Sequence, residues 1–257
     1  MTYFKPVVGF IAACLLLAPV HGRADEFHHV HLRVADRPAA LEWYAKHMEG
    51  QQTKVGDIAA VAFGKSHLLF LPAKDDTESN VGSTLDHIGF SFRDLEAKMA
   101  EFEEAGVKIV QPVRQIGSIK FGFIDDPWGT RIEVMEDRQL YGFHHIHLHT
   151  PDPQAMLGWF AEHLGGEPTR YFGILPAIRY GDVWILAQKV PAAKEPTISR
   201  SADHIGWLFD DLTAAVERFK AKGVTIDQEP EPFSGGRYAF ITGPNGLRFE
   251  LVELRGN

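Results

Sequence analysis

Polar and apolar residues alternate with period two through His29, Val30, His31, Leu32, Arg33 and Val34. This is the pattern of a strand with one buried face and one open face. Asp36 and Pro38 follow as helix-start signals, Leu41, Trp43, Tyr44 and Met48 fall near helical spacing, and Gly50 supplies a stop. Residues 59–63 and 67–71 then read as strands joined by a glycine turn. The cycle restarts at His87, whose strand runs to Phe92, with a helix over 94–105 ended by Gly106 and strands over 119–124 and 131–135. It begins twice more, at His145 and at His204, so the pattern predicts four β-α-β-β-β modules and an α+β fold. The polar stretches 74–84 and 191–201 read as loops between modules.

Beneath this cycle lies a longer repeat. Phe27-His28-His29-Val30-His31-Leu32 returns as Phe143-His144-His145-Ile146-His147-Leu148, an offset of 116, with Trp43, His47 and Gly50 returning as Trp159, His163 and Gly166. Asp86-His87-Ile88-Gly89 returns as Asp203-His204-Ile205-Gly206 at an offset of 117, as do Pro127, Gly129, Arg131 and Glu133 as Pro244, Gly246, Arg248 and Glu250. The chain therefore divides into two tandem copies, 25–137 and 143–257, joined by a linker at 138–142.

Alternation also assigns faces. Val30, Leu32 and Val34 point towards the helices, which leaves His29, His31 and Arg33 on the open side. Ile88, Phe90 and Phe92 pack, leaving His87, and Ile132 and Val134 pack, leaving Arg131, Glu133 and Met135. His29, His87 and Glu133 thus share a concave face in the first copy, and His145, His204 and Glu250 do so in the second. Two neutral imidazoles and a carboxylate suit a divalent metal, Fe(II), Mn(II), Zn(II), Ni(II) or Co(II), with coordination positions left for substrate. His31, His147 and His149 share a face with the first ligand, where they are placed to orient it. Arg131 and Arg248, two residues before each Glu, are candidates for binding an anionic substrate oxygen or for a salt bridge to a neighbouring carboxylate. His47 and His163 lie near helix ends, where a cation is mildly favoured.

Composition narrows the remaining choices. A net charge of -8 without any run of Lys or Arg excludes an electrostatic footprint for nucleic acid. Lys5, the apolar run from Pro6 to Val20 and the small residues before Asp25 predict a cleaved signal peptide over 1–24. The run is about 15 residues where a membrane span needs roughly 20. The expectation is an exported protein, periplasmic or secreted, with no stable membrane span after cleavage; lipidation at Cys14 is a minor alternative. Cys14 is the only cysteine, so the mature chain holds no thiolate ligand and any metal falls to His, Asp or Glu.

The segments His29-Val30-His31-Leu32-Arg33-Val34-Ala35-Asp36, Asp86-His87-Ile88-Gly89-Phe90 and Asp126-Pro127-Trp128-Gly129-Thr130-Arg131-Ile132-Glu133 resemble the three signatures of the vicinal oxygen chelate superfamily. That group includes glyoxalase I, extradiol dioxygenases and fosfomycin-resistance proteins. The resemblance covers nearly all of the chain after residue 24. It implies βαβββ modules paired into two cupped-sheet domains, each around a metal that chelates vicinal oxygens of a small-molecule substrate. It also implies His29, His87 and Glu133 as ligands in one domain and His145, His204 and Glu250 in the other. Glyoxalase I adds a carboxylate from the last strand of the first module, and neither 67–71 nor 183–187 holds a Glu. The extradiol dioxygenases carry a tyrosine where this chain has Phe123 and Phe240, and His67 lies on a strand where an acid/base group would stand in them. The reading leans to dioxygenase-type chemistry with Fe(II) slightly favoured over Mn(II), Zn(II) or Ni(II). A glyoxalase-like lyase or isomerase and a non-catalytic binding protein of the resistance type are the alternatives. A homodimer is compatible with either.

Overall fold

The computed structural model describes residues 26–255; the expected signal peptide and Cys14 lie outside the described residues. The first module comprises β1 (Glu26–Val34), α1 (Arg37–His47), β2 (Gln51–Val55), β3 (Ile58–Phe63) and β4 (Ser66–Pro72). The second comprises β5 (Leu85–Ser91), α2 (Leu95–Glu104), β6 (Lys108–Ile116), β7 (Ile119–Asp125) and β8 (Arg131–Glu136). The third comprises β9 (Gly142–Thr150), α3 (Pro153–Leu164), β10 (Thr169–Tyr171), β11 (Leu175–Tyr180) and β12 (Val183–Lys189). The fourth comprises β13 (Ala202–Leu208), α4 (Leu212–Ala221), β14 (Ile226–Phe233), β15 (Gly236–Thr242) and β16 (Arg248–Leu254). All four helices begin alike, with Asp36, Asp94, Asp152 or Asp211 accepting a backbone N–H three residues on at 2.9–3.0 Å, the side-chain cap that the sequence signals. The first helix stops at His47 rather than at Gly50, because Glu49 already turns left-handed, with φ of 60°.

The strands form two eight-stranded mixed sheets, as an α+β fold of four modules requires. Their composition departs from the sequence-order expectation. One sheet runs β14-β15-β16-β13-β1-β4-β3-β2 and the other β10-β11-β12-β9-β5-β8-β7-β6. Module one is therefore paired with module four, and module two with module three, through the antiparallel contacts of β1 with β13 and of β5 with β9. Neither 25–137 nor 143–257 contains a complete sheet. What holds each sequence half together is its helix-bearing side. Tyr44 of α1 donates to Asp126 at 2.7 Å, the Trp43 and Trp128 rings meet at 6.4 Å, and His47 meets Phe102 of α2 at 6.3 Å.

One continuous apolar core joins both sheets, drawing Val30, Leu32, Ile88, Phe90, Ile146, Ile205 and Trp207 from the inner strands. Each such side chain, fully buried, contributes about 1.5–3 kcal/mol relative to exposure. Phe27 and Phe143, equivalent in the two copies, stack with centroids 5.8 Å apart between the two central strands. With the apolar set turned to this core, the polar set of β1, β5, β9 and β13 is left facing the concavities. Among the described residues no helix is long and apolar enough to cross a membrane.

Candidate metal centres

Exchange of modules between the sheets exchanges the candidate ligands. His29 does not meet His87 and Glu133; it lies beside His204 and Glu250. One group comprises His29, His31, His204 and Glu250, the other His87, Glu133, His145 and His147, and in each the four donor atoms all lie within 4.8 Å of one another. All six expected residues thus occupy such groups, but each group takes its first histidine from the other sequence half. The geometry also adds His31 and His147, which the alternation had placed on this face only as orienting groups. His31 stands two residues along β1 from His29, so one strand presents two imidazoles to the same cup, 4.8 Å apart between ring centroids.

In the first cup, Nε2 of His29 and Nε2 of His204 each lie 3.0 Å from one oxygen of Glu250. In the second, Nε2 of His87 lies 3.0 Å and Nε2 of His145 3.7 Å from one oxygen of Glu133. Converging several nitrogens on one carboxylate oxygen is the geometry of a donor set. Partners behind the rings fix which nitrogen faces the cup. Asp203 holds Nδ1 of His204 at 2.6 Å and Asp86 holds Nδ1 of His87 at 2.9 Å, as carboxylates behind metal-binding imidazoles do. His28 and His144 do the same for their neighbours, with Nδ1 to Nδ1 separations of 2.8 Å to His29 and 2.9 Å to His145.

Strict alternation would not turn both members of such a pair inward. Register shifts at Phe27/His29 in β1 and opposite His145 in β9 make it feasible, since a bulge places two consecutive side chains against one partner. The roles of His28 and His144 went unread in the sequence, although the doubled Phe-His-His carried them. In the second cup the chain extends further, since Nε2 of His144 lies 3.3 Å from both Asp137 and the Tyr171 hydroxyl.

Gly206 and Gly89 follow the Asp-His-Ile of each copy for a steric reason. A Cβ at Gly206 would stand 2.0 Å from Cε1 of His29, and one at Gly89 2.0 Å from Cε1 of His145. Each histidine ring therefore lies across the neighbouring strand in space that only glycine leaves open.

The electrostatics of the two cups match. Burial alone would raise the Glu250 carboxyl, but hydrogen bonds with His204 and His29 hold it well below the usual range. Burial likewise pushes Glu133 up and contact with His145 and His87 outweighs it, so this carboxyl too is held well below. Burial keeps His31 and His147 neutral, with a lesser push in the same direction from His204 and His87 respectively, and it lowers His145 to about 4. His204 and His87 are the exceptions. Burial would lower them, yet the carboxylates on both sides of each ring raise them.

His31 and His147 leave both ring nitrogens buried without a hydrogen-bond partner, and Nε2 of His145 is also unpartnered. An orphaned buried nitrogen costs about 1–3 kcal/mol. Several of them converging on one carboxylate form a set that a divalent ion would satisfy, so these residues fit a metal.

Each group opens onto a mainly apolar cavity, of about 360 Å³ in the first cup and about 300 Å³ in the second. Arg248 lines the first, its guanidinium 3.9 Å above the Phe240 ring and 3.3 Å from Asp203. Arg131 does not line the second; its Nε donates to Asp125 at 2.6 Å. His67 stands outside the first donor group and does not line its cavity, its ring 4.8 Å from that of His28. His149 lies 3.2 Å from Asp86. His47 packs on Trp43, and His163 stacks on Trp159.

The family description "Glyoxalase/Bleomycin resistance protein/Dioxygenase superfamily" matches residues 26–134 and again 142–251. The chain belongs to this superfamily. Its tandem organisation is shared at the level of fold by glyoxalase I from Zea mays, with a TM-score of 0.71 at 16% identity over 90% of this chain and 92% of that one. A putative dioxygenase from Bacillus subtilis subsp. subtilis str. 168 gives 0.67 at 14% identity, covering 92% and 87%. A shorter likeness is to the probable chloroplastic lactoylglutathione lyase of Arabidopsis thaliana, 46% identical over 52 residues. That stretch is 20% of this glyoxalase-superfamily chain and spans only 15% of the relative's length.

Proposed function

We propose that this protein is a divalent-metal-dependent lyase or isomerase acting on a small substrate with vicinal oxygens. The observation that carries the proposal is the convergence of three imidazoles and one carboxylate in each cup. Four protein donors leave two positions of a six-coordinate ion, enough for two substrate oxygens. Ring-opening oxygenase chemistry, to which the three-ligand reading leaned, needs a further position for dioxygen. A divalent ion held there would supply Lewis acidity to the two oxygens and stabilise an enolate-like charge. No redox change is then required of it, so the preference for Fe(II) over Zn(II), Mn(II) or Ni(II) lapses.

The chain's own residues supply the rest. Asp203 and Asp86 keep the Nε2 atoms aimed into the cups, and the apolar walls, Leu69, Phe240 and Val252 in the first cup, exclude water and strengthen every charge interaction inside. Glu250 and Glu133, held ionised, are proposed to accept the substrate proton through Oε1, since the histidine contacts fall on Oε2. Arg248 is proposed as an anion-binding group. Arg131 and His67 stand away from the cavities and act only indirectly in this proposal. Export guided by residues 1–24 remains part of it.

The test is to purify the protein without oxygen, measure bound metal, and follow exchange of the α-proton of α-hydroxycarbonyl compounds into D2O by NMR alongside oxygen uptake with catechols. Bound metal with proton exchange and no oxygen uptake is the expected result. Oxygen uptake with ring opening would restore the dioxygenase reading. Ligand binding that persists after chelation of all metal would favour the resistance-type binding protein.

A further inference from the structure

The two cups share a donor set but differ in charge. The register of β15 with β16 sets Thr242 opposite Arg248, whereas that of β7 with β8 sets Asp125 opposite Arg131. Asp125 binds Arg131 at 2.6 Å and draws it out of the cavity. Thr242 cannot, and its hydroxyl is spent on Asp227 at 2.6 Å. Arg248 instead lies over Phe240 and lines the cavity, with Asp203 3.3 Å away as its carboxylate contact.

That carboxylate is already committed. Asp203 accepts from Arg33 at 2.8 Å and from the Ser199 backbone at 2.6 Å, and it holds Nδ1 of His204 at 2.6 Å. Arg33 is itself a difference between the cups, since its counterpart is His149, which lies 3.2 Å from Asp86. The first cup therefore has two guanidiniums on one buried carboxylate, with one of them at the cavity wall. The second cup is walled by Ile119, Phe121, Met135, Ile174 and Leu175, and among the described residues no Lys or Arg lines it.

We propose that the two cups have diverged in specificity: the first takes a chelating substrate bearing an additional anionic group that docks on Arg248, and the second takes an uncharged, apolar one. Guanidinium binds carboxylate with two donors in a low-dielectric wall, where the pairing is strong. Away from the donor set, a carboxylate entering the second cup meets a mainly apolar wall whose polar side chains are Tyr171 and Gln188, with no guanidinium to replace its hydration. Arg248 is a specificity-determining residue in this scheme, and the inference rests on the metal reading of both cups.

The experiment uses the full chain loaded with Zn(II), with 3,4-dihydroxybenzoate and catechol as vicinal-oxygen probes with and without an extra carboxylate. Bound zinc is measured in every sample. With the second cup disabled by E133Q, calorimetry is expected to show at least tenfold tighter binding of 3,4-dihydroxybenzoate than of catechol. R248M in that background is expected to abolish the preference while zinc content stays the same. With the first cup disabled by E250Q, catechol is expected to bind better, and D125A, which releases Arg131, is expected to move the preference towards 3,4-dihydroxybenzoate. Bound zinc with equal affinity for both probes in the first cup, or a preference that survives R248M, overturns the inference alone. Absence of bound zinc overturns the metal reading and the inference with it.

Discussion

Gly206→Ala is the most exacting perturbation the structure offers, because it adds one methyl group beside a candidate ligand without touching it chemically. The new Cβ would stand 2.0 Å from Cε1 of His29, where carbon atoms rest at about 3.5–4.0 Å. The ring or the strand must then give way by about 1.5–2 Å, far more than the roughly 0.2 Å tolerance on metal–ligand distances. The backbone at Gly206 is not left-handed, so the penalty is steric alone, about 1–3 kcal/mol for overpacking.

Two readouts follow. Chelator competition should show two metal equivalents in the unmodified protein and one of them weakened by at least about 100-fold in G206A, the upper end of what losing a partner behind a ligand costs. Thermal unfolding of the metal-free protein should show the steric penalty, and a double-mutant cycle with H29A should cancel it, since the clashing ring is then gone. Two unweakened equivalents in G206A, or a penalty that persists in G206A/H29A, would refute the account of Gly206.

Further outcomes are expected. H29A with E250Q should leave one metal equivalent, because both changes strike one cup, whereas H29A with E133Q should leave none; elemental analysis of the two double variants tests the pairing of modules. D86N should weaken metal in the second cup by about 10- to 100-fold through loss of the hold on His87, read by chelator competition with the first cup as internal control.

The metal-free protein should be most stable near pH 6.5, the upper limit of the range between the ordinary carboxyl and imidazole values. Below it the buried His31, His145 and His147, held neutral in the folded state, take up protons on unfolding, and stability falls as pH falls. The raised His204 and His87 contribute stability that is present below pH 6.5 and lost as pH rises through their folded values, and the depressed Glu250 and Glu133 contribute stability that is present above pH 4.5 and lost as pH falls through theirs. Metal binding must displace the protons on His204 and His87, so affinity should rise with pH across that upper limit. Denaturation midpoints with and without chelator would show it, and an affinity independent of pH would count against these imidazoles as ligands.

Much of this protein was legible in its sequence because the deciding interactions are local or periodic. Period-two alternation set His29, His87, His145 and His204 on open faces, since a strand turns successive side chains to opposite sides whatever it later pairs with. Asp-first helix starts and the repeat at 116–117 residues were legible for the same reason. Which strands become neighbours was not. The four modules carry nearly the same pattern, so β1 satisfies its hydrogen bonds and buries Val30 and Leu32 as well beside β5 as beside β13. The choice rests on long-range packing of the helix-bearing sides and of the Phe27–Phe143 stack. That choice moved His29 to Glu250 and His145 to Glu133.

Tertiary structure likewise decided the fourth donor. His31 becomes one because the cup closes around its otherwise unpartnered nitrogens. It also separated Arg248 from Arg131, because a single opposing residue, Thr242 or Asp125, determines whether a guanidinium faces the cavity or is tied back to its own sheet.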